Sequence, residues 1–191
     1  AQQMLRENFI YNFQRQTELN SMSAEEAQFA VDAQDTMAAS LDLDNPLGVT
    51  AVAAILQHNT SGILSRAGDG ITSAAGLEGK VYATWDSPIE QAMLRYCMEK
   101  EGADFEKVRL IPNNITDEPA ALQARPTDAV WVFYGWSGIN AELAGADCDY
   151  WDFASLSSEL DYYTPLILAN DEFLKASPDT ARAGVFIGLR E

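Results

Sequence analysis

The stretch QHNTSG, residues 57–62, holds the only histidine of the chain, His58, beside Asn59, Thr60 and Ser61 and ahead of Gly62. A neutral imidazole donates from one nitrogen and accepts at the other, and the amide and hydroxyls next to it extend that set, so the stretch can read the polar edge of a small molecule. A turn needs the same residue types, because Asn, Ser and Gly bond locally or take positive φ. Both uses stay open on residue types alone. Three further stretches share this character: QDT, with Gln34 and with Asp35 suited to the positive end of a helix; TWDSP, with Trp85; and YGWSG, with Tyr134 and Trp136. Tryptophan in a loop is a large apolar ring where the chain runs over the surface. Such rings either cap a sheet or clamp a flat ligand, and two of them with Tyr134 adjoining favour the clamp. Ser87 and Glu90 form a capping box for the helix that follows, and the same helix start can offer backbone N–H groups to a ligand oxygen.

Strands and helices must hold these stretches in place. GVTAVAAIL, 48–56, has the length and texture of a buried strand, with SGILSRAGDGI as its continuation into a glycine turn. QFAVDA, KVYATW, KVRLIP and YYTPLILA are further strands, and CDYWDF is an edge strand. DAVWVFYGW, apolar on both faces, is a central strand. SPIEQAMLRYCMEKEG is the strongest helix: Ser87 at its cap, Pro88 at its first position, an apolar face of Ile89, Met93, Tyr96 and Cys97, and Gly102 past its end. QDTMAASLDL, stopped by Asn45-Pro46, and TSAAGLEGK, capped by Thr72 or Ser73 and ended by Gly79, are helices. So are DEPAALQAR, capped by Asp117, WSGINAELAG and NDEFLKASPDTARA. Residues 1–24, with Phe9, Tyr11 and Phe13, fit either a helix or a strand. From residue 28 onward strands alternate with helices, which implies an α/β fold with a parallel or mixed sheet. In such sheets ligands bind at the carboxyl ends of strands, where the four polar stretches fall.

The bulk composition narrows the function. Twelve Lys and Arg against 29 Asp and Glu give a formal net charge of -17, which argues against a nucleic-acid surface. The 191 residues suffice for one domain or two small ones. No apolar run reaches the roughly 20 residues needed to cross a bilayer, and the N-terminal stretch lacks the apolar core of a signal sequence. Cys97 and Cys148 are too few and too far apart for a metal knuckle; they read as two isolated buried thiols, with pairing in an oxidising compartment as the alternative.

In order along the chain, QDTMAA, NPLGVTAVAAILQHNTSGI, LEGKVYATWDSPIEQAML, DAVWVFYGWSGINAEL and YYTPLILANDEFL resemble the substrate-binding proteins of ABC importers. The branch is the one related to the thiamin-pyrimidine synthases, of the sulfonate and nitrate type, and the resemblance runs from residue 28 to residue 182. It implies an α/β fold of the type II periplasmic-binding-protein kind, a Venus flytrap. Residues 64–163 would form the second lobe, and residues 1–63 with 164–191 a partial first lobe, since family members carry a longer strand-rich segment before the equivalent of Gln34. It also implies a bacterial protein working outside the cytoplasm, periplasmic or lipid-anchored, with an ABC permease as partner. The implied ligand is a flat heteroaromatic solute, a thiamin-precursor pyrimidine or a riboflavin-like molecule. Gln34, Asp35, His58, Asn59, Ser61 and Gly62 would face it from one side, and Trp85, Ser87, Glu90, Tyr134 and Trp136 from the other. No metal, resident cofactor or catalytic residue is implied. The enzymes of the branch join a lysine-bound pyridoxal phosphate to a histidine consumed as substrate. That chemistry needs a lysine beside the histidine loop, and the first lysine here is Lys80. The remaining alternative is a remnant that does not bind, or copies associated by domain swapping or as a homo-oligomer, since a partial lobe exposes apolar surface.

Overall fold

A computed structural model describes residues 27–37 and 48–188. The expectations for residues 1–24, for the helix beyond Met37, for the Asn45-Pro46 stop and for the Asp35 side chain lie outside the described residues. In chain order the elements are β1 (Phe29–Asp32), α1 (Gln34–Met37), β2 (Val49–Ala54), β3 (Ser61–Arg66), β4 (Val81–Thr84), α2 (Pro88–Lys100), β5 (Arg109–Pro112), α3 (Glu118–Ala124), β6 (Ala129–Phe133), a π-helical turn (Tyr134–Gly138), α4 (Ile139–Leu143), β7 (Cys148–Asp152), α5 (Phe153–Leu156), β8 (Leu166–Asn170), α6 (Asp171–Ala176) and α7 (Pro178–Gly188). The chain divides into two compact units, one of residues 60–161 and one that joins the segment ending at Asn59 to the segment from Tyr162.

The unit of residues 60–161 is built on a mixed five-stranded sheet of order β5-β4-β6-β3-β7. Helices α2 and α3 carry the chain from β4 to β5 and from β5 to β6, and a helical crossover is what parallel neighbours require. Accordingly β4 runs parallel to both β5 and β6, whereas β3 runs antiparallel to β6 and β7. One face packs Leu64, Ala83, Val130 and Val132 against Leu122 of α3 and Ala141 of α4. The other carries Ile63, Tyr82, Trp131 and Phe153, all buried. The second unit holds an antiparallel sheet of order β1-β8-β2, with a core of Met37, Val49, Leu166 and Leu168. Phe29 meets Phe173 edge-on there, ring centroids 5.5 Å apart. No helix among the described residues is long and apolar enough to cross a membrane.

Several expectations change at this level. Strand β2 is not buried: Thr50 and Ala51 are exposed and Val52, Ala53 and Ala54 half-buried, because β2 lies on the edge of its sheet. SGILSR does not continue it; β3 belongs to the other sheet and is the buried strand, flanked on both sides. Helix α2 buries Glu90, Met93, Leu94, Cys97 and Met98, a face turned by about one residue from the expected one. Tyr96 is left exposed, with its hydroxyl donating to Glu159 at 2.6 Å. Residues 74–77 make a single 3-10 turn without a side-chain cap, though Gly79 ends it at φ +76° as a terminator should. DAVWVFYGW is a strand only to Phe133, and β6 is central. Pro178 divides NDEFLKASPDTARA into α6 and α7, since its ring cannot continue a helix; Asn170 caps α6 by accepting from the Phe173 amide at 3.0 Å. Asp117 caps α3 as expected, accepting from Ala120 N–H. Both thiols are free; Cys97 is buried, which pushes it up to about 12, and Cys148 only partly so.

Candidate functional site

Because β4 and β6 are parallel, their carboxyl ends lie at one edge of the sheet, and the antiparallel strand β3 begins there. Ser61 pairs with Phe133 and Gly62 with Asp152, so TWDSP, YGWSG and the end of QHNTSG converge on that edge. The Tyr134 amide donates to the Thr60 carbonyl at 2.9 Å. The Tyr150 hydroxyl donates to the same carbonyl at 3.2 Å, and the two tyrosine rings sit 5.0 Å apart. That crossing explains Gly62: a Cβ there would stand 2.2 Å from the Trp151 carbonyl oxygen and 2.7 Å from the Tyr150 hydroxyl. Gly138 is needed for the same kind of reason, since its Cβ would meet the Tyr134 ring at 2.5 Å. The rim is aromatic and open: Trp136 is 55% exposed, Phe133 39% and Tyr134 36%. Trp85 lies half-buried against Trp131 at 6.0 Å, and Trp131 against Phe153 at 4.3 Å.

Behind Trp85 sits a polar cluster. Glu90 is 3% exposed, and it accepts from the Tyr82 hydroxyl at 2.6 Å, the Thr84 hydroxyl at 2.8 Å and the Trp85 amide at 3.0 Å. Burial pushes the Glu90 carboxyl above its ordinary value, while the bonds from Tyr82, Thr84 and Trp85 draw it back. Burial, and then the neighbouring Glu90 charge, hold the Tyr82 hydroxyl well above its ordinary value, so it stays a donor. The expected capping box does not close: Ser87 stands at the cap position, but its side chain makes no cap bond.

Of the residues singled out in the sequence, Ser61, Gly62, Trp85, Ser87, Glu90, Tyr134 and Trp136 belong to the unit of residues 60–161, whereas Gln34, Asp35, His58 and Asn59 belong to the other. His58 is exposed, while Asn59 and Ser61 are buried. Gln34 faces Tyr163: its side-chain oxygen accepts from the Tyr163 amide at 3.0 Å, and its backbone amide donates to the Tyr163 carbonyl at 3.3 Å. Asp35 is placed by its backbone, within α1. Residues 57 and 58 form bends after β2, so the turn reading of QHNTSG holds for its first half and the strand reading for Ser61 and Gly62. Among the described residues no cluster of three or more His, Cys, Asp or Glu is placed to hold a metal ion. Reasoning from sequence missed Thr60, Trp131, Tyr150, Trp151 and Phe153 at this edge. CDYWDF carried the signal: in a strand, Tyr150 falls on one face and Trp151 on the other, so both faces are aromatic. The indole N–H groups of Trp131 and Trp151 are buried without a hydrogen-bond partner.

The profile of the NMT1/THI5-like family matches residues 11–185. The chain belongs to that family. No curated protein sequence matches it. The family member's fold is that of the periplasmic binding proteins. It resembles the aliphatic sulphonate binding protein SsuA from Escherichia coli with a TM-score of 0.62 at 14% identity, over 87% of this chain and 55% of that one. The periplasmic sulfonate-binding protein SsuA from Methylobacillus flagellatus KT is similar at a TM-score of 0.60 and 18% identity, over 86% of this chain and 48% of that one. The desulfurization enzyme DSZB shares the fold at a TM-score of 0.54 and 12% identity, over 80% of this chain and 58% of that one. The chain thus spans about half the length of these structural relatives.

Proposed function

We propose that this chain serves as the solute-binding component of an ABC importer, outside the cytoplasm, with a membrane permease as its partner, and that it holds a flat heteroaromatic ligand against the aromatic edge of the 60–161 unit. The observation that carries the reading is that edge. Trp85, Tyr134 and Trp136 come from the ends of two neighbouring parallel strands, and Trp136 keeps more than half of its surface in solvent. Rings so placed stack on a planar ligand, and each pairing is worth about 0.5–1.5 kcal/mol beyond the area it buries. Family membership supports a binding role, as do the sulfonate-binding proteins that share the fold. The rim offers aromatic faces with the Ser87 hydroxyl nearby, a set suited to binding. In the same reading the ligand is a thiamin-precursor pyrimidine or a riboflavin-like molecule.

All four tryptophans of the chain lie between residues 85 and 151, so intrinsic fluorescence reports on this unit alone. Titration with 4-amino-2-methylpyrimidine or riboflavin should quench it, with calorimetry giving the affinity. Trp136→Ala should weaken binding by at least the ring-stacking increment, about three- to tenfold. An alkanesulfonate that binds while both heteroaromatics fail would replace the ligand class. Unchanged affinity in Trp136→Ala would remove that ring from the site.

A further inference from the structure

The turn between β4 and α2, residues Thr84–Ser87, carries Trp85 to the aromatic edge, and its polar groups end on one carboxylate. The Thr84 hydroxyl and the Trp85 amide donate to Glu90, and the Tyr82 hydroxyl reaches it from within the sheet. Thr84 Oγ1 in turn accepts from the Asp86 amide at 2.9 Å, and Gln91 Nε2 donates to Asp86 Oδ1 at 3.2 Å. Asp86 stands at φ +59°, the left-handed region that a residue with a side chain enters only when its surroundings hold it there. Thus Trp85 and the strained residue after it are tied to Glu90, directly or through Thr84.

We infer that Glu90 is a positioning residue. It holds the turn in the shape that presents Trp85 to a ligand, and it does not touch the ligand itself. The inference rests on the reading of the aromatic edge as the ligand wall. Two carboxylate oxygens offer about four acceptor positions, and three buried donors already occupy most of them. With 3% of its surface exposed, Glu90 is shut off from a ligand donor.

Only the ionised carboxylate accepts from all three groups. A proton on Oε1 can be taken up by the Tyr82 hydroxyl, which accepts as well as donates; a proton on Oε2 faces the Trp85 amide, which cannot accept, and there the turn must let go. The titratable groups beside Glu90 are Tyr82 from β4 and Asp86 in the turn; α2 has no other acid in its first turn, and β6 presents Trp131. Since burial raises the folded-state value, affinity should fall as pH drops through a range above that of an ordinary glutamate. Stability runs the other way. A group whose folded value is raised contributes fully below its unfolded value, and that contribution is lost as pH rises through the folded value. A loss of affinity in acid is therefore separable from unfolding at this residue.

The test uses the full chain, calorimetry and two probes, 4-amino-2-methylpyrimidine and 2-methylpyrimidine, which lacks the amino group. Glu90→Gln should weaken both by the same factor, roughly tenfold for one lost bond to a charged group, and should remove the acid-side fall seen in the wild type. Thr84→Val, which takes the acceptor from the Asp86 amide, should also weaken both probes alike, and it serves as the test if Glu90→Gln does not fold. A loss confined to the amino probe would make Glu90 a ligand contact and overturn the inference. Unchanged affinity with an unchanged pH profile would overturn it too, leaving a capping residue. Should the wild type bind neither probe, the proposed ligand class falls, and positioning is then judged on the free protein. Near-ultraviolet circular dichroism of Glu90→Gln must change while the far-ultraviolet spectrum does not; an unchanged aromatic signal sinks the inference.

Discussion

Gly62 shows how a residue noticed for one reason can be required for another. In the sequence it closes a polar stretch and stands among the residues that would face a ligand; in the structure what approaches it closely is the chain's own Trp151 carbonyl and Tyr150 hydroxyl. A methyl group 2.2 Å from a backbone oxygen cannot be absorbed by a rotamer change, so β3 and β7 must separate there. Gly62→Ala should lower stability by about 1–3 kcal/mol, as overpacking of a close-packed site does, and should disturb the Tyr134–Tyr150 contact. Urea denaturation of the variant checks this, and a loss below about 0.5 kcal/mol would show that the strands yield easily. The types of the site residues were legible, because small and polar residues beside tryptophan stand out at strand ends. The partners were not. Tyr82 and Thr84 meet Glu90 only because alternate residues of β4 face α2, a geometry that residue types do not announce.

At the scale of elements, α2 separates what periodicity reveals from what packing decides. The cap at Ser87, the first-turn proline and the glycine after the last turn gave its limits from sequence, and the helix runs Pro88–Lys100. Its apolar stripe did not give the buried face, since Ile89, Met93, Tyr96 and Cys97 fit helical spacing nearly as well as Glu90, Met93, Leu94, Cys97 and Met98. The choice fell to Glu90, which must reach Tyr82 and Thr84 and so rotates the helix until Tyr96 leaves the core. Leu94, 1% exposed, should therefore cost about 2–5 kcal/mol when cut to Ala, whereas Ile89→Ala should cost clearly less. Paired denaturation curves test the rotation, and equal losses would contradict it. Strand β2 failed for a related reason. VTAVAA has the apolar texture of a buried strand, yet Ala51, Ala53 and Ala54 are small enough to tolerate an edge.

For the whole molecule, the division into two units follows from the chain passing between two sheets rather than within one, which the alternation of strands and helices left undetermined. The net charge of -17 was legible from the first reading, and it sets how the protein should answer to salt. Several ion pairs are surface pairs: Lys107–Glu78 at 2.7 Å, Arg95–Glu106 at 2.7 Å and Lys175–Glu172 at 2.6 Å, all well exposed. Exposed pairs contribute about 0–1 kcal/mol each, and salt weakens them. Against them stands the mutual repulsion of 29 carboxylates over 12 cationic side chains, which acts over longer distances and opposes compaction. Raising ionic strength from about 0.01 to 0.1 M shortens the screening length from about 30 to 10 Å, which removes long-range repulsion while close pairs keep part of their attraction. Repulsion should dominate, so the melting temperature at neutral pH should rise over that interval. A thermal scan across a sodium chloride series decides it: a flat or falling midpoint would mean that the exposed pairs, few as they are beside the excess acid, outweigh the net charge.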